Sequence, residues 1–110
     1  MKPHRDLKLA DAAEQLSADV VRLSDRTRRL LHRTQLLKSA QAVNANVGEA
    51  FGRVSVADRN YRLSVARAES EETIRHLRSN VNAERISERA YWPLHNRLVT
   101  IVKMINSLLY

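Results

Sequence analysis

Two carboxylates and an imidazole have the spacing that first suggests chemistry. Glu69, Glu72 and His76 follow at steps of three and four residues, near one face of a helix, and Glu49 stands on the preceding helical segment. Carboxylate di-metal sites in helical bundles use Glu-x-x-His at i, i+3 on each of two helices. Here Glu72 to His76 is i, i+4, and no other segment repeats the pair. The sequence therefore predicts that Glu49, Asp58, Arg62, Glu69 and Glu72 enter ion pairs within or between subunits, with no metal or other cofactor. His4, His32, His76 and His95 each lack a nucleophile or orienting carboxylate at a diagnostic spacing. Gly48 and Gly52 match neither phosphate-binding fingerprint. An enzyme is not expected.

The arginines are more informative. Arg22, Arg26, Arg28, Arg29, Arg33 and Lys38 crowd one stretch, opposed within it only by Asp25. Arg22, Arg26, Arg29 and Arg33 step by 4, 3, 4, so a second helix stacked over the end of the first would align them as a stripe. Guanidinium groups pair bidentately with phosphate, and each neutralised phosphate steepens the salt dependence of binding. The aromatic residues Phe51, Tyr61, Tyr91, Trp92 and Tyr110 are scattered in the sequence, which argues against a base-stacking platform. Contact with nucleic acid is expected to run through the backbone and to be weakly sequence-selective.

These side chains need rigid elements to carry them. Tyr91, Leu94, Leu98, Ile101, Ile105 and Leu108 repeat at helical spacing, and a second line, His95, Val99, Val102, Asn106 and Leu109, widens that apolar face. Ser87 fits as its N-cap, with Ile86 and Tyr91 as a hydrophobic staple, and Pro93 predicts a kink or a delayed start. Leu63, Ala66, Ser70, Thr73 and Leu77 form a stripe whose small centre permits close approach of a neighbour; Ser55-x-x-Asp58 caps it. Gly52 is expected to stop the helix before it in a left-handed cap, and Gly48 to serve close packing. Leu36, Ala40, Val43, Val47 and Ala50 mark that helix; Leu9, Ala12, Leu16, Val20 and Leu23 mark the first. The reading is all-α: helices at 6–23, 25–51, 56–81 and 87–109, joined by short loops into an up-down-up-down antiparallel four-helix bundle, one domain over 1–110.

Composition agrees and narrows the classes. With 110 residues there is room for one core, and two Gly and two Pro leave little turn material for a many-stranded sheet. There is no cysteine, and no apolar run approaches a membrane span. The opening MKPHRDLKLADAAEQ lacks the apolar core of a secretory signal, so a cytoplasmic location is expected. A net charge of +7 favours an RNA or DNA partner.

A resemblance adds to this. Asn44-Ala45-Asn46-Val47-Gly48-Glu49-Ala50-Phe51-Gly52-Arg53, then Ser55-x-x-Asp58, Leu63-Ser64-Val65-Ala66, Glu69-Ser70-x-Glu72-Thr73 and Leu77 follow in order. The set resembles the small four-helix bundles encoded in intervening sequences of 23S ribosomal RNA genes, related to the accessory variability protein of diversity-generating retroelements. Family members often carry Pro at Asn44, Gly at Ala50 and an aromatic at Arg59. The resemblance implies a homopentameric barrel and, for the retroelement branch, a reverse transcriptase and nucleic acid as partners. Val99, Val102, Leu109, Glu69 and Glu72 are the expected subunit-interface residues. Two functions stay open: an oligomeric nucleic-acid-binding accessory protein, or a structural and interaction module whose arginines serve subunit contacts.

Overall fold

The structure, a computed structural model, describes residues 3–109, with side chains from residue 5. Its elements are α1 (Pro3–Arg26), α2 (Arg33–Phe51), α3 (Val56–Asn82) and α4 (Glu88–Leu109). α1 packs on α2 and α4, and α3 packs on the same two, so α1 faces α3 and α2 faces α4 across the core. Alternating directions around this square make an up-down-up-down antiparallel bundle with extents of 43 × 21 × 20 Å. No described helix is long and apolar enough to cross a membrane.

The helical periods place the core as expected. Every member of the α2 stripe and every member of the α3 stripe is buried, as are Tyr91, Leu94, Leu98, Ile101 and Ile105 of α4. On α1 the buried alanine is Ala13; Ala12 is only half-buried. The small, polar centre of α3 meets α2 closely. Thr73 Oγ1 lies 2.8 Å from both Ser39 Oγ and the Glu69 carbonyl, while Ser39 donates to the Leu36 carbonyl and Ser70 to that of Ala66. These buried hydroxyls are thereby satisfied without a cavity-filling side chain.

The ends of the helices differ more from expectation. Ser55 caps α3 by accepting from the Asp58 amide, and Ser87 caps α4 by accepting from that of Ala90, with Ile86 and Tyr91 both buried. α4 starts at Glu88 in spite of Pro93, so its start is not delayed. Gly52 has φ −90°, so the stop after Phe51 is not left-handed. Gly48 is exposed, and a Cβ there would meet nothing within 4 Å, which removes close packing within the chain as its purpose. Among the described residues the left-handed ones are instead His32 (φ 55°) and Glu84 (φ 58°), one in each loop at the same end of the bundle. Arg59 replaces the aromatic of the related pattern by a different contact: its guanidinium donates to the Leu108 carbonyl in the last turn of α4.

The largest correction concerns the first connection. α1 continues through Ser24 and Asp25 to Arg26, and residues 27–32 form a loop before α2 starts at Arg33. Arg33 explains the break. Its guanidinium donates to the carbonyls of Ser24 and Thr27 and to Ser24 Oγ (2.6 Å), which ties the end of α1 and the start of the loop to the first residue of α2.

Candidate nucleic-acid interface

The loop end of the bundle is held together by one buried side chain. Asn80 continues the core stripe of α3 beyond Leu77 and is fully buried. Its Oδ1 accepts from the Leu31 amide at 2.7 Å, and its Nδ2 donates to the Leu31 carbonyl (3.0 Å) and the His76 carbonyl (2.8 Å). Its own carbonyl accepts from the Arg85 amide at 2.8 Å. Asn80 thus fixes the α1–α2 loop and the α3–α4 loop against each other. The Arg85 side chain adds a long contact of 3.5 Å to the Arg29 carbonyl.

Two clefts open on this end. The larger, about 740 Å³, is lined by Arg78, Arg85, Glu84, Glu88, Tyr91, Trp92 and His95 among others. The second, about 480 Å³, is lined by Arg26, Arg28, Arg29 and Ala90, and it shares Glu84 to Ser87 with the first. A third recess beside them brings Arg22 and Arg26 of α1 next to Arg89 of α4. Arg26, Arg28, Arg29, Arg78, Arg85 and Arg89 form no ion pair among the described residues. Such a concentration of guanidinium groups, with few carboxylates near, draws polyanions.

The six basic residues singled out in the sequence divide accordingly. Arg26, Arg28 and Arg29 come together at the second cleft. Arg22 borders the third recess but is engaged by Asp19, which also takes Arg97 of α4 at 2.6 Å. Arg33 faces inward as a loop clip and does not join the stripe. Lys38 lies away from the clefts on the α2–α3 edge, where its charge acts on Glu69. Arg78, Arg85 and Arg89, which complete the basic end, were missed; they come from distant sequence and reach it only through the antiparallel turn between α3 and α4. Of the scattered aromatics only the adjacent Tyr91 and Trp92 come together, and His95 one turn on completes a cluster beside Arg85. The side chain of His4 and the whole of Tyr110 lie outside the described residues.

The expected interface residues occupy two separate edges. Val99, Val102 and Leu109 are half-buried on the line of α4 that Arg67 of α3 ties down through Asn106 (2.7 Å). Glu69 and Glu72 stand on the other side of α3, facing α2. Neither pairs with an arginine among the described residues: Glu69 lies within hydrogen-bonding reach of Glu72, and the contact nearest to an ion pair is Glu72 with His76 at 3.8 Å. Burial, then the bond and charge of Glu72, raise the Glu69 carboxyl above its ordinary 4.5, against the pull of Lys38. Burial lowers the His76 imidazole from 6.5, opposed by Glu72 and helped by His32, whose ring centroid is 5.6 Å away. Of the remaining expected pairs, Glu49 meets Arg53 at 2.6 Å, while Arg62 contacts Asn46 at 3.3 Å and Asp58 acts at the helix cap. Among the described residues no group of three or more His, Asp and Glu is placed to hold a metal.

Comparison with known proteins agrees with this architecture. Over 96% of this chain and 97% of the other, the fold superposes on a crystal structure from Bacteroides thetaiotaomicron, a protein of unknown function from the S23 ribosomal protein family, with a TM-score of 0.90 and 25% identity. No curated protein matches. The profile of the 23S rRNA-intervening sequence proteins matches residues 5–107. The chain belongs to the 23S rRNA-intervening sequence protein family.

Proposed function

We propose that the protein is a non-catalytic, oligomeric nucleic-acid-binding protein that grips the phosphate backbone with the loop end of its bundle. The observation that carries this reading is the convergence of Arg26, Arg28, Arg29, Arg78, Arg85 and Arg89, without ion-pair partners among the described residues, on clefts held in place by Asn80. Arginines serving only to pair with acids of the same chain would resemble Arg22 or Arg53, each already bound to a carboxylate. A pentameric ring, as the resemblance implies, would repeat the basic end on each subunit, so that modest contacts add by avidity along a strand.

The opposite end favours a protein contact. Val54, Val56 and Tyr61 are exposed there, with Val54 fully so, and an apolar surface of that kind suits another copy of the chain or a protein partner such as a reverse transcriptase. The two ends can act in one molecule. Titration of the protein with RNA and with duplex DNA at low salt, beside light scattering for its mass, tests both parts. Binding by an oligomer is the expected result. Failure of the folded protein to bind either polymer refutes the nucleic-acid reading, and a mass near 12.6 kDa refutes the oligomer.

A further inference from the structure

Resting on the nucleic-acid reading of the loop end, we propose that the cleft beside Trp92 receives an unpaired base, so that the protein selects single-stranded over duplex nucleic acid. Among the described residues four other large hydrophobics are exposed, Leu7, Val54, Val56 and Tyr61, and all stand at the opposite end of the bundle. Trp92 is 49% exposed and lines the larger cleft with Arg78 and Arg85. An indole left half in water is a large apolar surface available to a flat partner.

Its setting fits a base. Tyr91 and His95 meet the indole at 76° and 71°, each with centroids 5.0 Å away, so both brace the ring near-perpendicularly and neither stacks parallel on it. Tyr91 is buried, and its hydroxyl lies 3.0 Å from His95 Nδ1, which locks the brace to the core. The platform is therefore ordered before anything binds, which lowers the entropic cost of stacking. Glu84 and Glu88 line the Trp92 cleft beside Arg78 and Arg85, and their carboxylates can accept from a ring N–H or an amino group of a base. Across the shared loop, Arg26, Arg28 and Arg29 line the other cleft and suit the phosphates of the same strand. A base stacked inside a duplex cannot reach an indole in this position, whereas an unpaired one can.

Trp92 is the single tryptophan of the chain, so its own fluorescence reports the contact. The probes are a single-stranded oligouridylate of about 12 nucleotides, within the range of such binding sites, and an RNA duplex of the same length. The single strand should quench Trp92. Trp92→Ala should weaken its binding by about 5- to 160-fold, the range for loss of one base–aromatic stack, and Trp92→Phe should retain most of the affinity. Duplex binding, carried by phosphate contacts, should not change in either variant. Binding of the single strand without quenching, and with Trp92→Ala unaffected, overturns the stacking site and leaves the arginine reading standing. No binding of either probe by the folded wild type overturns both. A change of mass in Trp92→Ala by light scattering assigns the indole to a subunit contact and overturns the base site.

Discussion

Replacing Asn80 by alanine should destabilise the protein by about 2–4 kcal/mol, because it leaves both backbone groups of Leu31 without partners. The amide side chain makes two bonds to Leu31, at 2.7 and 3.0 Å, and a third to the His76 carbonyl. That third bond is the least important, since carbonyls within a helix are already engaged by the helix itself. An unsatisfied buried polar group costs roughly 1–3 kcal/mol, and the half-buried position of Leu31 puts its two groups at the bottom of that range, about 2 kcal/mol together. The void left by the amide adds about 1 kcal/mol. At about 4–8 °C per kcal/mol for a domain near this size, the melting temperature should fall by roughly 10–25 °C. Asn80→Asp separates hydrogen bonding from volume. It keeps an acceptor for the Leu31 amide but sets a carboxylate against the Leu31 carbonyl, so it should be at least as damaging at neutral pH. Urea unfolding followed by circular dichroism, at one fixed protein concentration, measures both variants. Hydrogen exchange at the Leu31 amide locates the effect. If both variants stay within about 0.5 kcal/mol of wild type, the range of an ordinary surface substitution, Asn80 does not hold the loop end together.

Other outcomes follow from the same geometry. Glu69→Gln should stabilise the protein at neutral pH. The raised carboxyl makes stability fall as pH rises above 4.5 and through its folded pKa, so the gain should vanish below pH 4.5, where the wild-type group is protonated in both states. A melting-temperature gain that persists unchanged at low pH would contradict this. The His76 imidazole should titrate below 6.5 by NMR, and Glu72→Gln should lower it further by removing the charge that opposes burial; an upward shift would contradict the assignment. Because the folded pKa is depressed, the contribution of His76 to stability is present above pH 6.5 and is lost as pH falls from there through the folded pKa. Arg33→Gln should lower thermal stability by freeing the carbonyls of Ser24 and Thr27, while leaving the salt dependence of nucleic-acid binding as it is; a flatter salt slope would return Arg33 to the binding surface.

The helices were legible because apolar period is a local property. The steps of three and four through Leu36, Ala40, Val43, Val47 and Ala50, or through Leu63, Ser70 and Leu77, leave one face for the core whatever the neighbours are. Ala12 and Ala13 are chemically identical, so the choice between them depended on the rotation of α1 against its neighbours. The stripe Arg22–Arg26–Arg29–Arg33 failed because it assumed one helical path past Asp25. The chain leaves the helix after Arg26, and a left-handed His32, which carries no glycine-like signal, restarts it. Asn80 did offer a signal: it stands three residues after Leu77, on the same stripe, where an amide must find partners or cost stability. What it binds, the Leu31 backbone 49 residues away, is a tertiary fact. The meeting of Arg28 and Arg29 with Arg85, and of Arg85 with Trp92, is of the same kind.

The basic end is tested most directly by the salt dependence of binding in two variants of equal charge. One replaces Arg28, Arg29 and Arg85 by Gln at the clefts; the other replaces Lys8, Arg53 and Lys103, which lie outside them. If the three cleft arginines each neutralise a phosphate on a single strand or duplex, the slope of log affinity against log salt should flatten by about 2–3 in the first variant. The second should keep the wild-type slope. Equal flattening in both would mean that binding follows net charge alone, and that the loop end is not the nucleic-acid site.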